Sequence, residues 1–212
     1  MVSGKNLKII DFSMPFRIAS FFVYYATLAL VIAFDHLVFG IRIGGKRNLR
    51  SARGILVSNH TLYLDPGIIS HAIAPRRTYY SAMEETFRVK GLGTYIRLLG
   101  AFPLPRQNPI QRVRSPLRRA LRERGLVHFF PEGELYHLNQ NIRQFSDGAF
   151  FFAALLNVPV VPVVIVLHPR RWAEGFGIRF PPRVTVRILP PVHPSQFGTT
   201  DVRDRESIGR MR

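Results

Sequence analysis

Gly54-Ile55-Leu56-Val57-Ser58-Asn59-His60-Thr61-Leu62-Tyr63-Leu64-Asp65-Pro66 decides how this chain folds. Its first five residues form an apolar run opened by glycine, the pattern of a buried strand. Asp65 before Pro66 has the form of a helix N-cap followed by proline at the first helical position. Between strand and helix stand His60 and Asp65. On one continuous helix five residues turn through about 500°, leaving the two side chains about 140° apart and out of reach. If the chain turns between a strand and a helix, they can meet. An imidazole near its ordinary pKa then takes a proton from an alcohol, while the carboxylate fixes its tautomer. The bland alternative is a structural histidine beside a capping aspartate.

Working outward, the same alternation recurs. Gly54–Ser58, Leu126–Phe130, Val158–Leu167 and Val184–Leu189 read as strands, rich in Val, Ile and Phe and bounded by Pro or Gly. Pro66–Ile73, Ile110–Arg124 and Asp147–Leu156 read as helices. The expected fold is α/β, a central mixed sheet flanked by helices, with an N-terminal membrane-associated helix or helical hairpin. With 212 residues, 47% of them hydrophobic, the chain can bury a proper core and is not disordered. It has no cysteine, which excludes disulfides, thiolate metal sites and cysteine nucleophiles. It carries 30 Lys and Arg against 13 Asp and Glu, a net charge of +17 that favours anionic partners.

Ile18–Phe34 is a 17-residue stretch without a charge, carrying Phe21, Phe22, Tyr24 and Tyr25. As a helix it spans roughly 25 Å, the low end for a membrane crossing. Lys5, Lys8 and Arg17 precede it and Arg42, Lys46, Arg47, Arg50 and Arg53 follow, so both flanks are positive. That symmetry suits a helix, or a hairpin completed by His36 to Ile43, lying in one leaflet at least as well as a spanning one. The alternatives are a buried core helix and a cleaved signal peptide, the latter without a clear cleavage site before Asp35. The expected plan is an anchoring segment over 1–43 on the cytoplasmic face of a membrane, a catalytic domain over 44–194, and a polar, fraying tail over 195–212. The arginine-rich stretch from Arg112 to Arg124 places Val113, Leu117, Ala120 and Leu121 on one helical face, with Pro116 marking the first turn. It reads as a solvated basic face, with lipid headgroups as an added contact.

Four segments carry a specific resemblance: Asn59-His60 to Asp65; Gly100-Ala101-Phe102-Pro103-Leu104-Pro105-Arg106; Phe130-Pro131-Glu132-Gly133; and Val158-Pro159-Val160-Val161-Pro162-Val163. In order and spacing the chain resembles the glycerophospholipid acyltransferases, the family of the lysophosphatidic acid acyltransferases, from about Gly54 to Val166. The resemblance implies a membrane-bound O-acyltransferase that moves an acyl chain from acyl-CoA or acyl carrier protein to a lysophospholipid hydroxyl. His60 would be the general base and Asp65 its orienting partner. Asn59, Arg106, Glu132 and Gly133 would serve acceptor binding: Arg106 for phosphate, Glu132 to orient a cation or hydroxyl, and Gly133 to let the backbone approach closely. The fourth segment would shape the acyl-side wall. The thioester is a co-substrate, and neither cofactor nor metal is implied. Direct transfer agrees with the absence of a G-x-S-x-G elbow.

Two departures bear on the acceptor. The third motif continues Glu134-Leu135 instead of threonine and arginine, and Met83-Glu84-Glu85-Thr86-Phe87 lacks the basic residue often found there. Arg88, Lys90, Arg97 and Arg143 are the candidates to compensate. Lysophosphatidic acid leads, followed by another lysophospholipid or a lyso-aminolipid. His128 reads as packed, His137 as bordering the site, and His71, His168 and His193 as lacking paired carboxylates. The remaining alternatives are a catalytically inactive lipid-binding protein and a nucleic-acid module. For the latter no motif is present and the apolar N-terminus has no task, so no nucleic acid is expected.

Overall fold

A computed structural model describes residues 8–50, 52–170, 180–197 and 205–212. Strand β2 (Gly54–Ser58) is buried at every residue, as its continuous apolar run requires. It is flanked on both sides by parallel neighbours, β5 (Leu126–Phe129) and β6 (Val160–His168). Gly54 stands at the point of closest approach, where a Cβ would lie 2.1 Å from the Pro159 carbonyl oxygen.

Seven strands form one sheet in the order β1-β7-β6-β2-β5-β3-β4, with β1 at Arg42–Gly44, β3 at Tyr79–Met83, β4 at Ala101–Leu104 and β7 at Arg183–Ile188. Every neighbouring pair is parallel except β6 and β7, so the sheet is mixed as expected. Its two faces carry separate cores. Helix α2 (Asp65–Ile73) packs Ile68, Ile69, Ala72 and Ile73 against Leu56, Val161 and Val163 on one face. On the other, α4 (Pro109–Glu123), α5 (Gly148–Leu156) and α6 (Arg205–Met211) cover Ile55, Val57, Val127 and Phe129. The connections after β2 and β5 therefore leave neighbouring strands for opposite faces. In open α/β sheets, a crevice for ligands forms outside the carboxyl ends of strands at such a point.

Helix α1 (Met14–Phe34) buries only Ser20, Tyr24 and Leu28, a stripe of fourfold spacing. Phe22 is 68% exposed, Leu30 73% and Leu37 84%. The buried-core alternative for this segment therefore fails. So does the hairpin: the helix continues through one wider π-turn, Asp35–Phe39, ends at Gly40 in the left-handed region, and feeds β1. The sheet thus begins inside the segment assigned to anchoring, because β1 gains parallel ladder bonds from β7.

Other differences have similarly local causes. Asp65 is the first residue of α2 instead of its cap; the cap position is Leu64. Pro116 sits in the middle of α4, where burial of Val113, Leu117, Ala120 and Leu121 holds the helix despite the missing N–H. The end of the tail is helical, with Ile208 and Met211 buried in the second core. Residues 198–204 lie outside the described residues. Helix α3 (Leu92–Leu99), β3 and β4 add elements that the sequence did not announce.

Candidate active site

The β2 ladder ends at Ser58, and the next two residues point their side chains to different tasks. Asn59 is buried, and its amide donates to the Ile165 carbonyl (2.8 Å) and accepts from the Ile165 N–H (2.8 Å). It thereby extends the β2–β6 pairing by one side chain, with one amide hydrogen and one lone pair engaged. Gln140 repeats the device two residues further along β6, donating to Leu167 O and accepting from Leu167 N at 2.7 Å each. Leu138 N also donates to Thr61 O (2.8 Å), so the loop after β5 is laced to the loop after β2.

His60 follows at the carboxyl end of β2. Its Nδ1–H donates to Asp65 Oδ2 at 2.8 Å, which leaves Nε2 as the free acceptor of the ring. Asp65 is completely buried and accepts two further bonds on the same oxygen, from Thr61 N (2.6 Å) and Leu62 N (2.8 Å). These amides belong to the turn between strand and helix, so the turn that brings His60 to Asp65 also satisfies the carboxylate. The imidazole stacks on Phe130, centroids 3.9 Å apart and planes 18° apart. Glu132 Oε1 accepts the His60 backbone N–H at 3.4 Å. Burial pushes the Glu132 carboxyl above its ordinary range, opposed by that hydrogen bond and by His60. Gly133 adopts φ +77, and a Cβ there would meet open space. Glycine is needed for the left-handed turn.

Behind the dyad lies His128, fully buried, with Nε2 bonded to Ser58 Oγ at 3.0 Å and Nδ1 unpartnered. Burial pushes its imidazole down to about 3, so it is neutral and packed, as read. His71, contrary to its isolated place in the sequence, has a carboxylate partner. It donates from Nδ1 to Asp35 Oδ2 at 2.8 Å, both buried, and so ties α2 to the end of α1. No sequence signal joins residues 36 positions apart. His137 stacks on Tyr63 at the edge of the site.

A cleft of about 590 Å³ collects His60, Arg106, Gly133, Glu84, Glu85 and Glu134 at the carboxyl ends of β2 to β5. Arg106 is brought to it, but its Nη2 pairs with Glu85 at 3.0 Å. Of the cations considered as replacements, Arg143 reaches the rim by pairing with Glu134 (4.0 Å) and stacking on Tyr136 (3.8 Å). Arg97 is spent elsewhere, donating to Lys8 O and lying over Phe87. A second cavity of about 470 Å³ is lined by Tyr24, Leu28 and Val31 of α1, Pro66 of α2, and Ile96 and Leu99 of α3. It shares Tyr63, Ser81, Ala82 and Thr86 with the cleft. In the fourth motif, Val160, Val161 and Val163 are core residues of β6.

Comparison with known proteins agrees with this geometry. The family model described as Acyltransferase matches residues 40–166. The 1-acyl-sn-glycerol-3-phosphate acyltransferase of Bacillus subtilis is 27% identical over 168 residues, 78% of this chain and 80% of that protein. The protein of that name from Saccharomyces cerevisiae is 25% identical over 89% of this chain, which spans 59% of its length. The human 1-acyl-sn-glycerol-3-phosphate acyltransferase beta is 30% identical over 77% of this chain and 60% of its own. The crystal structure of the 1-acyl-sn-glycerophosphate (LPA) acyltransferase from Thermotoga maritima shares the fold. Its TM-score is 0.58 at 20% identity, over 93% of this chain and 90% of that one.

Proposed function

The chain belongs to the acyltransferase family, and we propose that it transfers a fatty acyl chain from an acyl thioester to the free hydroxyl of a lysophospholipid. The position is sn-2, and the leading acceptor is lysophosphatidic acid, giving phosphatidic acid. The observation that carries this reading is the 2.8 Å contact of His60 Nδ1 with a buried, three-fold bonded Asp65 at the wall of the cleft. Nε2 of His60 removes the proton of the acceptor hydroxyl as its oxygen attacks the thioester carbonyl. The tetrahedral intermediate collapses, expelling the thiolate, which takes the proton back from Nε2. Asp65 holds the ring in the required tautomer and stabilises the imidazolium between the two steps. Glu132 acts on the backbone of His60, and Arg106 and Arg143 supply positive charge at the rim. The acyl chain occupies the apolar cavity beside α1.

The exposed apolar surface of α1 supports anchoring in a membrane, on the cytoplasmic face where acyl-CoA and acyl carrier protein are found. A second acceptor class is favoured by one observation. Three carboxylates, Glu84, Glu85 and Glu134, line the cleft, against Arg106 and the nearby Arg143, so a lysolipid with a cationic headgroup also meets complementary charge. The test is transfer from labelled acyl-CoA and acyl carrier protein to a panel of lysophosphatidic acid, zwitterionic lysophospholipids and a lyso-aminolipid. Phospholipase A2 release then locates the new ester. Label in sn-2 of phosphatidic acid is expected. Transfer confined to the amine-bearing acceptors would select the second class, and no transfer to any acceptor would favour an inactive lipid-binding protein.

A further inference from the structure

A third cavity, of about 550 Å³, lies away from the cleft, at the amino end of β3 and the carboxyl end of α4. It is lined by Met14, Ile18 and Phe22 from the first half of α1 and by Arg17, Arg77 and Arg124, with a single acid, Glu123, also on its lining. All three share this lining with Tyr79, whose ring Arg124 covers at 3.7 Å. None of them forms an ion pair among the described residues, and the acid nearest to them, Glu123, is held by Arg119 at 3.1 Å.

Two of these cations are held in place without an ion pair. Arg124 lies 3.7 Å over Tyr79 and gives Nη1 to Thr78 O at 3.0 Å. Arg77 lies 4.2 Å over Tyr24 and gives Nη2 to Ser20 Oγ at 2.8 Å, while its Nε is buried without a partner. Burial pushes Arg124 down to about 10, the mark of a positive charge drawn out of water, and Glu123, already paired with Arg119, offsets this only in part. The other half of the cavity is apolar and open to the surroundings: Met14 is 65% exposed, Ile18 54% and Phe22 68%. Clustered guanidiniums match phosphate oxygens with forked donors. The adjoining apolar strip on the exposed side of α1 matches a hydrocarbon chain. A free phosphate satisfies only the first half.

We propose that Arg17, Arg77 and Arg124, with Met14, Ile18 and Phe22, form a binding site for one anionic phospholipid of the bilayer, separate from the acceptor site beside His60. The site ties the start of α1 to β3 and α4 through a lipid, and it makes retention of the protein selective for anionic membranes. It is independent of the catalytic assignment, because none of its residues lines the cleft.

The test is native mass spectrometry of the full chain in neutral detergent, with dioleoylphosphatidylglycerol or dioleoylphosphatidylcholine added. One phosphatidylglycerol retained per chain in preference to phosphatidylcholine is expected, with retention falling at least about tenfold in Arg17→Gln/Arg77→Gln, the least that loss of charge-assisted contacts implies. Arg17→Gln alone, at an exposed guanidinium that makes no hydrogen bond among the described residues, lowers retention in the same direction and does not depend on the double variant folding. Equal retention of the two lipids, or unchanged retention by the folded variants, would overturn the proposal. Displacement of the lipid by millimolar inorganic phosphate would assign the arginines to a free anion and overturn it as well.

Discussion

Asp65 Oδ2 takes donors from His60, Thr61 and Leu62 at once, so its removal acts on both chemistry and fold. Asp65→Asn turns one acceptor oxygen into a donor or leaves the ring in the wrong tautomer. A fall in kcat of about 10²–10⁴-fold is expected, and a destabilisation of about 1–3 kcal/mol, read from steady-state kinetics and thermal melting. His128 gives a prediction about pH. Its imidazole titrates near 6.5 in the unfolded chain and at about 3 in the folded one. The unfolded state therefore binds more protons between these values, and stability present above pH 6.5 is lost as the pH falls towards 3, a difference of about 5 kcal/mol in full. Melting temperatures between pH 7 and 4 should fall less steeply in His128→Gln than in the wild type; parallel slopes would refute this. At this scale the sequence disclosed what is local. His60 and Asp65 lie within one turn and were legible from five residues' spacing. The tasks of Asn59 and His71 were hidden because their partners, Ile165 and Asp35, lie 106 and 36 positions away.

Strand β6 continues past the end of β2 by borrowing side chains, Asn59 at Ile165 and Gln140 at Leu167. Gln140→Ala removes two side-chain hydrogen bonds to the Leu167 backbone, about 1 kcal/mol each, and frees the loop that borders the cleft. Faster amide exchange at Leu167 and a lower kcat/KM are expected, with His60 itself untouched; unchanged exchange would show that the clamp is dispensable. Gly54 tests the packing of the centre. Gly54→Ala places a methyl 2.1 Å from the Pro159 oxygen, so strand separation and a loss of at least about 3 kcal/mol are expected in melting experiments. The central strands were legible because long Val, Ile and Leu runs have few other uses. Strands β3 and β4 were not. They are edgeward and short, their Tyr79-Tyr80-Ser81 and Phe102-Pro103 lack a clear period of two, and their existence depends on pairing with β5 and with each other. The hairpin reading of 36–43 failed for a related reason, since Arg42–Gly44 becomes a strand only through β7.

For the whole molecule, α1 and the net charge of +17 are two routes to a membrane that salt can separate. Charge attraction fades when the Debye length shrinks to about 3 Å at 1 M salt, whereas apolar insertion does not. The protein is expected to pellet with vesicles in 1 M NaCl, and Phe22→Glu/Leu30→Glu, at two exposed positions of α1, is expected to release it. Release of the wild type by salt alone would reduce α1 to an ordinary exposed helix. The exposure of α1 was suggested by its uncharged length and decided by the three-residue stripe it buries. The central claim is that His60 acts as the base of an acyl transfer in the cleft at the carboxyl ends of β2 to β5. Its most direct test is the rate of acyl transfer from acyl-CoA to lysophosphatidic acid by wild type and His60→Ala in the same micelles, each shown to be folded by its melting transition. The account predicts transfer by the wild type and loss of at least about 10³-fold in the variant. Transfer at a comparable rate by folded His60→Ala would contradict it.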